Sequence, residues 1–215
     1  MTDRDRALQG VTAAHRTLEQ RLQGVTDDQA RQPSLLPGWT VGHVLTHIAR
    51  NADGLRRMVE GAARGEVAEM YPGGFDARNA DIEAGAGRTA EALVDDVRVS
   101  AARLELAFDG LPADAWSREG ITVFGPAPID DLPGRRWREV EVHHADLGLG
   151  YGPREWPADY VRSELRVLTM LWDSRRPMGL TGLPPEAFDV DERTRLAWLL
   201  GRAEIAGLPA AGLLG

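Results

Sequence analysis

Two acids and two histidines fall within one short run, Glu139-Val140-Glu141-Val142-His143-His144. On a helix, residues four apart lie on one face, so Glu139 and His143 point at a common spot. Glu141 and His144, three apart, can do the same on the opposite flank. A carboxylate and an imidazole are half of a catalytic metal site, which takes three protein ligands and leaves a fourth position open. A third ligand has to come from another element.

The segment Leu36-Pro37-Gly38-Trp39-Thr40-Val41-Gly42-His43-Val44-Leu45-Thr46-His47-Ile48 offers two histidines. Thr40 after a Pro-Gly turn is an N-cap, and Val41, Val44, Leu45, Ile48, Leu55 and Val59 form one apolar face. At about 100° per residue, His47 sits at the margin of that face and His43 nearly opposite its centre. His47 is therefore the better inward ligand, and His43 reads as exposed. His47, Glu139 and His143 give a two-histidine, one-carboxylate set from two facing helices. Zinc suits such nitrogen and oxygen donors, whereas iron has no supporting signal. The competing reading is a solvated acidic face in which Glu139 and Glu141 pair with Arg135, Arg136 and Arg138 at helical spacing.

The supporting elements follow from periodicity. A first helix runs from about Asp3 to Val25, with Leu8, Val11, Leu18, Leu22 and Val25 as its stripe and His15 in the gap, expected as a core histidine. The Thr26-Asp27-Asp28 cluster ends it. Residues 65–87 are loop-rich. A third helix spans about Thr89 to Phe108, stopped by Asp109-Gly110-Leu111-Pro112. Ile121-Thr122-Val123-Phe124 reads as a short strand or crossover, and a fourth long helix opens near Leu132 and carries the ligand run. Long helices in this order predict a four-helix bundle over residues 1–150. Beyond Gly148-Leu149-Gly150-Tyr151-Gly152-Pro153, residues 151–215 predict a small α+β domain. Its helices fall near Asp159 to Asp173 and Asp191 to Leu200, and its extended pieces at Met178 to Leu183 and Phe188-Asp189-Val190. The fold class expected is thus mainly α.

Composition narrows the function. The 215 residues, 43% of them hydrophobic, can bury a core. A net charge of −8 argues against nucleic acid and anionic membrane partners. No apolar run approaches the roughly 20 residues of a membrane span. The charged start, Met1-Thr2-Asp3-Arg4-Asp5-Arg6, is unlike a signal peptide, so a cytoplasmic protein is expected. The chain has no cysteine, which excludes thiolate ligands and a protein-borne thiol nucleophile. All 25 basic residues are arginine, so lysine Schiff-base chemistry is excluded too. Sulfur chemistry here needs a borrowed thiol.

Leu36-Pro37-Gly38-Trp39-Thr40 followed by His47, and Arg138-Glu139-Val140-Glu141-Val142-His143-His144-Ala145-Asp146-Leu147, resemble the mycothiol-dependent maleylpyruvate isomerases, within the broader DinB-like family of metal-binding four-helix bundles. Tyr71-Pro72-Gly73-Gly74 and Leu196-Ala197-Trp198-Leu199-Leu200-Gly201-Arg202 are also similar to that family. The resemblance implies a DinB-like bundle with a C-terminal α+β domain, and zinc held by His47, Glu139 and His143. It implies mycothiol as the thiol, a small dicarboxylate substrate, and Arg202 as a catalytic arginine. Ala203-Glu204-Ile205-Ala206-Gly207 departs from the Gly-rich continuation of many members. The activity implied is the cis–trans isomerisation of maleylpyruvate to fumarylpyruvate in gentisate catabolism. Two rivals stand beside it: a mycothiol S-transferase of the same family, and a non-catalytic helical binding module. Asp146 either orients a ligand imidazole or faces solvent near the helix end, the second being the expectation.

Overall fold

The computed structural model describes residues 2–175 and 182–213. Two compact units divide the chain, residues 1–150 and 151–215. The first contains α1 (Asp3–Leu22), α2 (Asp27–Arg31), α3 (Val41–Arg64), α4 (Gly74–Ala86), α5 (Ala90–Asp109), β1 (Glu119–Thr122), β2 (Gly125–Pro128) and α6 (Leu132–Asp146). The second contains α7 (Ala158–Ser174) and α8 (Glu192–Leu199), with one short 3-10 turn before α7 and another between the two helices. None of the described helices is long and apolar enough to cross a membrane.

Threonines start four of the first unit's helices, α1, α2, α3 and α5. Thr2, Thr26, Thr40 and Thr89 each accept a hydrogen bond from the backbone N–H three residues on, which satisfies a donor that the helix cannot. Thr26 therefore does not end a helix; it starts the five-residue α2. At the far end of α3, Gly65 takes a left-handed conformation at φ 80°, which costs a glycine little.

The long helices α1, α3, α5 and α6 form the bundle: α3 lies along α5 and α6, and α1 along α6 and α5. The apolar face of α3 buries Val44, Leu45, Ile48, Leu55 and Val59 completely or nearly so. Toward one end, Leu55, Met58, Leu104, Phe108, Trp116, Ile129 and Leu132 share one cluster. Truncating Leu45 or Leu104 to alanine costs about 2–5 kcal/mol, since nothing can flow in to fill the space.

Residues 65–87 are not mainly loop, because α4 occupies 74–86. Its sequence has no apolar stripe, and it buries only Ile82 and Ala86. Packing on α3 is what holds it. A Cβ on Gly42 of α3 would stand 2.2 Å from the Ala86 carbonyl oxygen, and one on Gly85 of α4 2.5 Å from Thr46 Cγ2. These glycines let the two backbones approach.

β1 and β2 form an antiparallel hairpin, registered from Glu119 opposite Pro128 to Thr122 opposite Gly125. It also pins the loop before α4, because Met70 N donates to Ile121 O at 2.7 Å and Ile121 N to Ala68 O at 2.9 Å. Tyr71 follows directly from that anchor.

In the second unit, α7 buries Tyr160, Val161, Leu168 and Trp172, and α8 buries Leu196 to Leu199. The Trp172 and Trp198 rings lie 5.3 Å apart. No strand occurs among its described residues. The extended piece expected at Phe188-Asp189-Val190 is instead the end of a 3-10 turn, Pro185–Phe188, where Pro184 and Pro185 cannot donate to a ladder. The piece expected at Met178 to Leu183 lies mostly outside the described residues.

Candidate metal centre

Sequence positions 92 residues apart meet where α3 faces α6. His47 Nε2 stands 3.0 Å from Glu139 Oε2, and His143 Nε2 stands 3.6 Å from the same oxygen. The two imidazoles meet edge to face, with ring centres 4.5 Å apart. One ligand atom from each of the three residues lies within 4.8 Å of the other two. Metal–ligand bonds near 2.0–2.1 Å in a tetrahedron place ligand atoms about 3.3 Å apart, so this donor set fits a divalent ion. His47 is 4% exposed, while Glu139 and His143 are half-buried, which leaves one side of the site open.

The protonation states suit that role. Burial pushes the His47 imidazole down to about 4, with the charge of His143 adding to the effect, so the ring is neutral near pH 7. Burial alone would raise the Glu139 carboxyl. The hydrogen bond from His47, followed by the electrostatic influence of His143 and of the Arg136 guanidinium, outweighs it and holds the carboxyl well below its usual range. The site thus offers a carboxylate and neutral imidazole nitrogen.

Each donor is held by neighbours. His143 Nδ1 donates to Asp146 Oδ2 at 2.8 Å, which turns the Nε2 lone pair toward Glu139. Carboxylates behind ligand histidines do this in metal sites generally. Asp146 is 2% exposed, so it does not face solvent as expected; Leu35 N donates to its backbone carbonyl at 2.8 Å and covers the helix end. That loop carries Trp39, whose ring meets His47 edge-on at 5.7 Å.

His43 is not the exposed histidine expected. It stacks on Trp39 at 6.1 Å and closes the α3 capping box through Thr40, with Nε2 turned to Glu83. Glu141 and His144 are each 2% exposed and stand outside the triad, and Arg136 is fully buried. The solvated acidic face is therefore absent. The Trp137 indole donates to Glu141 at 3.3 Å.

Three neighbours escaped the sequence reading. Arg78 on α4 donates from Nη2 to His47 Nδ1 at 3.0 Å. Arginine only donates, so the His47 proton sits on Nε2, facing Glu139. Arg136 lies one turn before Glu139. Its Nε donates to His15 Nε2 at 3.0 Å, and its Nη1 to Ile48 O and Asn51 Oδ1, each at 2.9 Å. His15 Nδ1 in turn donates to Glu105 Oε1 at 2.6 Å. His15 is therefore a core residue that relays a carboxylate to a buried guanidinium. The Tyr71 hydroxyl lies beside Arg78, and neither it nor the buried Arg136 Nη2 finds an acceptor among the described residues. The spacing of Arg136 to Glu139 was a usable signal; Arg78, on a helix without a stripe, gave none.

Arg202, the catalytic arginine implied by resemblance, follows α8 in the second unit. Its Nη1 donates to Leu200 O at 2.8 Å and its backbone N to Ala197 O at 2.7 Å, contacts that serve the helix end.

Comparison with known proteins gives the family of the chain. The family model described as the mycothiol maleylpyruvate isomerase N-terminal domain matches residues 11–148. Among solved structures, the chain is similar to a crystal structure of the mycothiol-dependent maleylpyruvate isomerase, with 26% identity and a TM-score of 0.83, over 94% of this chain and 90% of that one. A histidine-to-alanine mutant of that enzyme matches over the same shares with a TM-score of 0.82. None of the curated proteins compared matches. With more than half of its length matched, including all three side chains of the triad, the chain belongs to the mycothiol maleylpyruvate isomerase N-terminal domain family.

Proposed function

We propose that this protein isomerises maleylpyruvate to fumarylpyruvate in the cytoplasm, using mycothiol and a zinc ion held by His47, Glu139 and His143. The observation that carries the reading is the convergence of those three side chains in a chain that has no thiol of its own. When bound, zinc and mycothiol together supply an ionised sulfur whose reversible addition to the conjugated alkene converts the double bond to a rotatable single bond.

The chain's residues bind, orient and neutralise. Glu139 stays ionised and His47 neutral near pH 7, so neither has to lose a proton to the solvent before taking the ion. Asp146 fixes the ring of His143. Trp39 walls the site beside His47 and limits water there. Addition to the alkene moves negative charge onto the substrate's carbonyl oxygen, and a fixed cation lowers the barrier to that shift. We assign this role to Arg202, whose fork also suits a carboxylate.

The test is conversion of maleylpyruvate by metal-loaded and chelated protein, with and without mycothiol. The expected result is trans product only when both are present, with the thiol regenerated. Accumulation of a thioether identifies an S-transferase instead, and protein that takes up no stoichiometric metal overturns the reading.

A further inference from the structure

Among the described residues, Arg78 is a cation without a carboxylate partner. Several other arginines of the same unit are paired with carboxylates: Arg50 with Asp96, Arg56 with Glu60, Arg88 with Asp96 and Arg118 with Asp114. Arg78 instead donates to two neutral acceptors, Asn79 Oδ1 at 2.9 Å and His47 Nδ1 at 3.0 Å. The second contact puts it on the opposite ring edge of a triad residue. Two more donors stand in the same corner with no acceptor: the Tyr71 hydroxyl and Arg136 Nη2, the latter on a side chain with no exposed surface. Burial pushes the Tyr71 phenol up to about 12, so it remains a donor at any ordinary pH; Glu139, Arg78 and Arg136 are its charged neighbours. Unpartnered buried donors are uncommon and costly. Asp53 and Glu105 act on Arg136 along with Glu139, whereas Arg78 makes no ion pair with a carboxylate among the described residues, so its charge remains available to an anion.

We propose that Arg78, with the Tyr71 hydroxyl beside it, forms an anion subsite that holds a carboxylate of the substrate while the rest of the molecule reaches the triad. This deepens the proposed function and rests on the reading of the triad as a metal site acting on a dicarboxylate. The contact with His47 favours it. An imidazole that gives Nε2 to an ion carries its proton on Nδ1, and that proton cannot accept from a guanidinium. Arg78 is thereby released for an anion when the ion is held. Arg136 Nη2 adds a fixed positive potential behind Tyr71, set in place by His15 and Asn51.

The test is calorimetric binding of succinate and of butyrate to the zinc-loaded full chain, without thiol, in the wild type, R78Q, R78K and Y71F. Succinate has two carboxylates and no double bond, so it cannot react, and butyrate controls for a carboxylate that binds the ion alone. Wild-type protein should favour succinate about tenfold or more, as a charged hydrogen bond implies. R78Q should lose that preference at unchanged zinc content, R78K should keep part of it, and Y71F should weaken it about threefold. In turnover, R78Q should raise KM more than it lowers kcat. A wild type that shows no preference, or an R78Q that retains it, overturns the subsite. Chain that fails to isomerise maleylpyruvate but loses the preference in R78Q refutes the reaction and keeps the subsite. Unchanged KM and preference in R78Q do the reverse.

Discussion

His143 and Asp146, one turn apart on α6, are joined by a 2.8 Å hydrogen bond from Nδ1 to Oδ2. The carboxylate fixes which imidazole nitrogen carries the proton and so which one faces Glu139. Asp146→Asn should keep the fold and lower zinc affinity about 10–100-fold. Chelator competition on purified protein measures it; an unchanged affinity shows that His143 needs no such support.

The two histidines of α3 should separate cleanly. His47→Ala removes a triad donor and should abolish stoichiometric metal, whereas His43→Ala should retain it. The latter loses a capping contact, at about 1 kcal/mol of stability. Metal analysis together with a melting curve on each variant checks both, and zinc lost from His43→Ala but kept in His47→Ala reverses the assignment.

Acid should destabilise the fold through its buried histidines. Burial lowers His15 to about 4, against the opposing hydrogen bond of Glu105, and lowers His144 to about 4. An unfolded chain takes up these protons near 6.5. The folded state binds fewer protons, so its stability is complete above pH 6.5 and falls as pH drops through 4. The loss is on the order of 3 kcal/mol for each histidine. His15→Gln keeps an acceptor for Arg136 without a titrating ring, and should flatten part of the slope of denaturation midpoint against pH between 6.5 and 4.

Arg202→Ala should leave zinc content unchanged and lower kcat by about 10²-fold, the usual loss of one donor to a developing oxyanion. Steady-state kinetics beside metal analysis decides it. Full activity assigns the side chain a structural role, such as its hydrogen bond to the Leu200 carbonyl.

Gly42→Ala places a methyl 2.2 Å from the Ala86 carbonyl. Backbone cannot yield as a flexible side chain does, so α4 must shift. The expected cost is about 1–3 kcal/mol, seen as a lowered melting temperature. The variant should also weaken the contact of Arg78 with His47.

The triad was legible because its chemistry follows helical geometry. The face formed by Val41, Val44, Leu45 and Ile48 oriented His47, and four-residue spacing paired Glu139 with His143. The helix α4 was not legible, since Gly74 to Ala86 has no apolar stripe and is held by close contact with α3. Arg78 was hidden with it. The backbone carbonyl of Asp146 is capped by Leu35 N, over a hundred residues earlier, which no local pattern encodes. The same holds for the linkage of His15, Glu105 and Arg136, three residues from three different helices.

The triad draws its donors from two helices far apart in sequence, so it exists only while α3 and α6 are docked. An ion seated there is thus a ligand of the native state alone. At a free concentration about 1,000 times its Kd, it would deepen the folding equilibrium by roughly 4 kcal/mol. Thermal resistance of the protein should then track zinc supply, and starvation for the metal should expose the chain to proteases before it limits turnover.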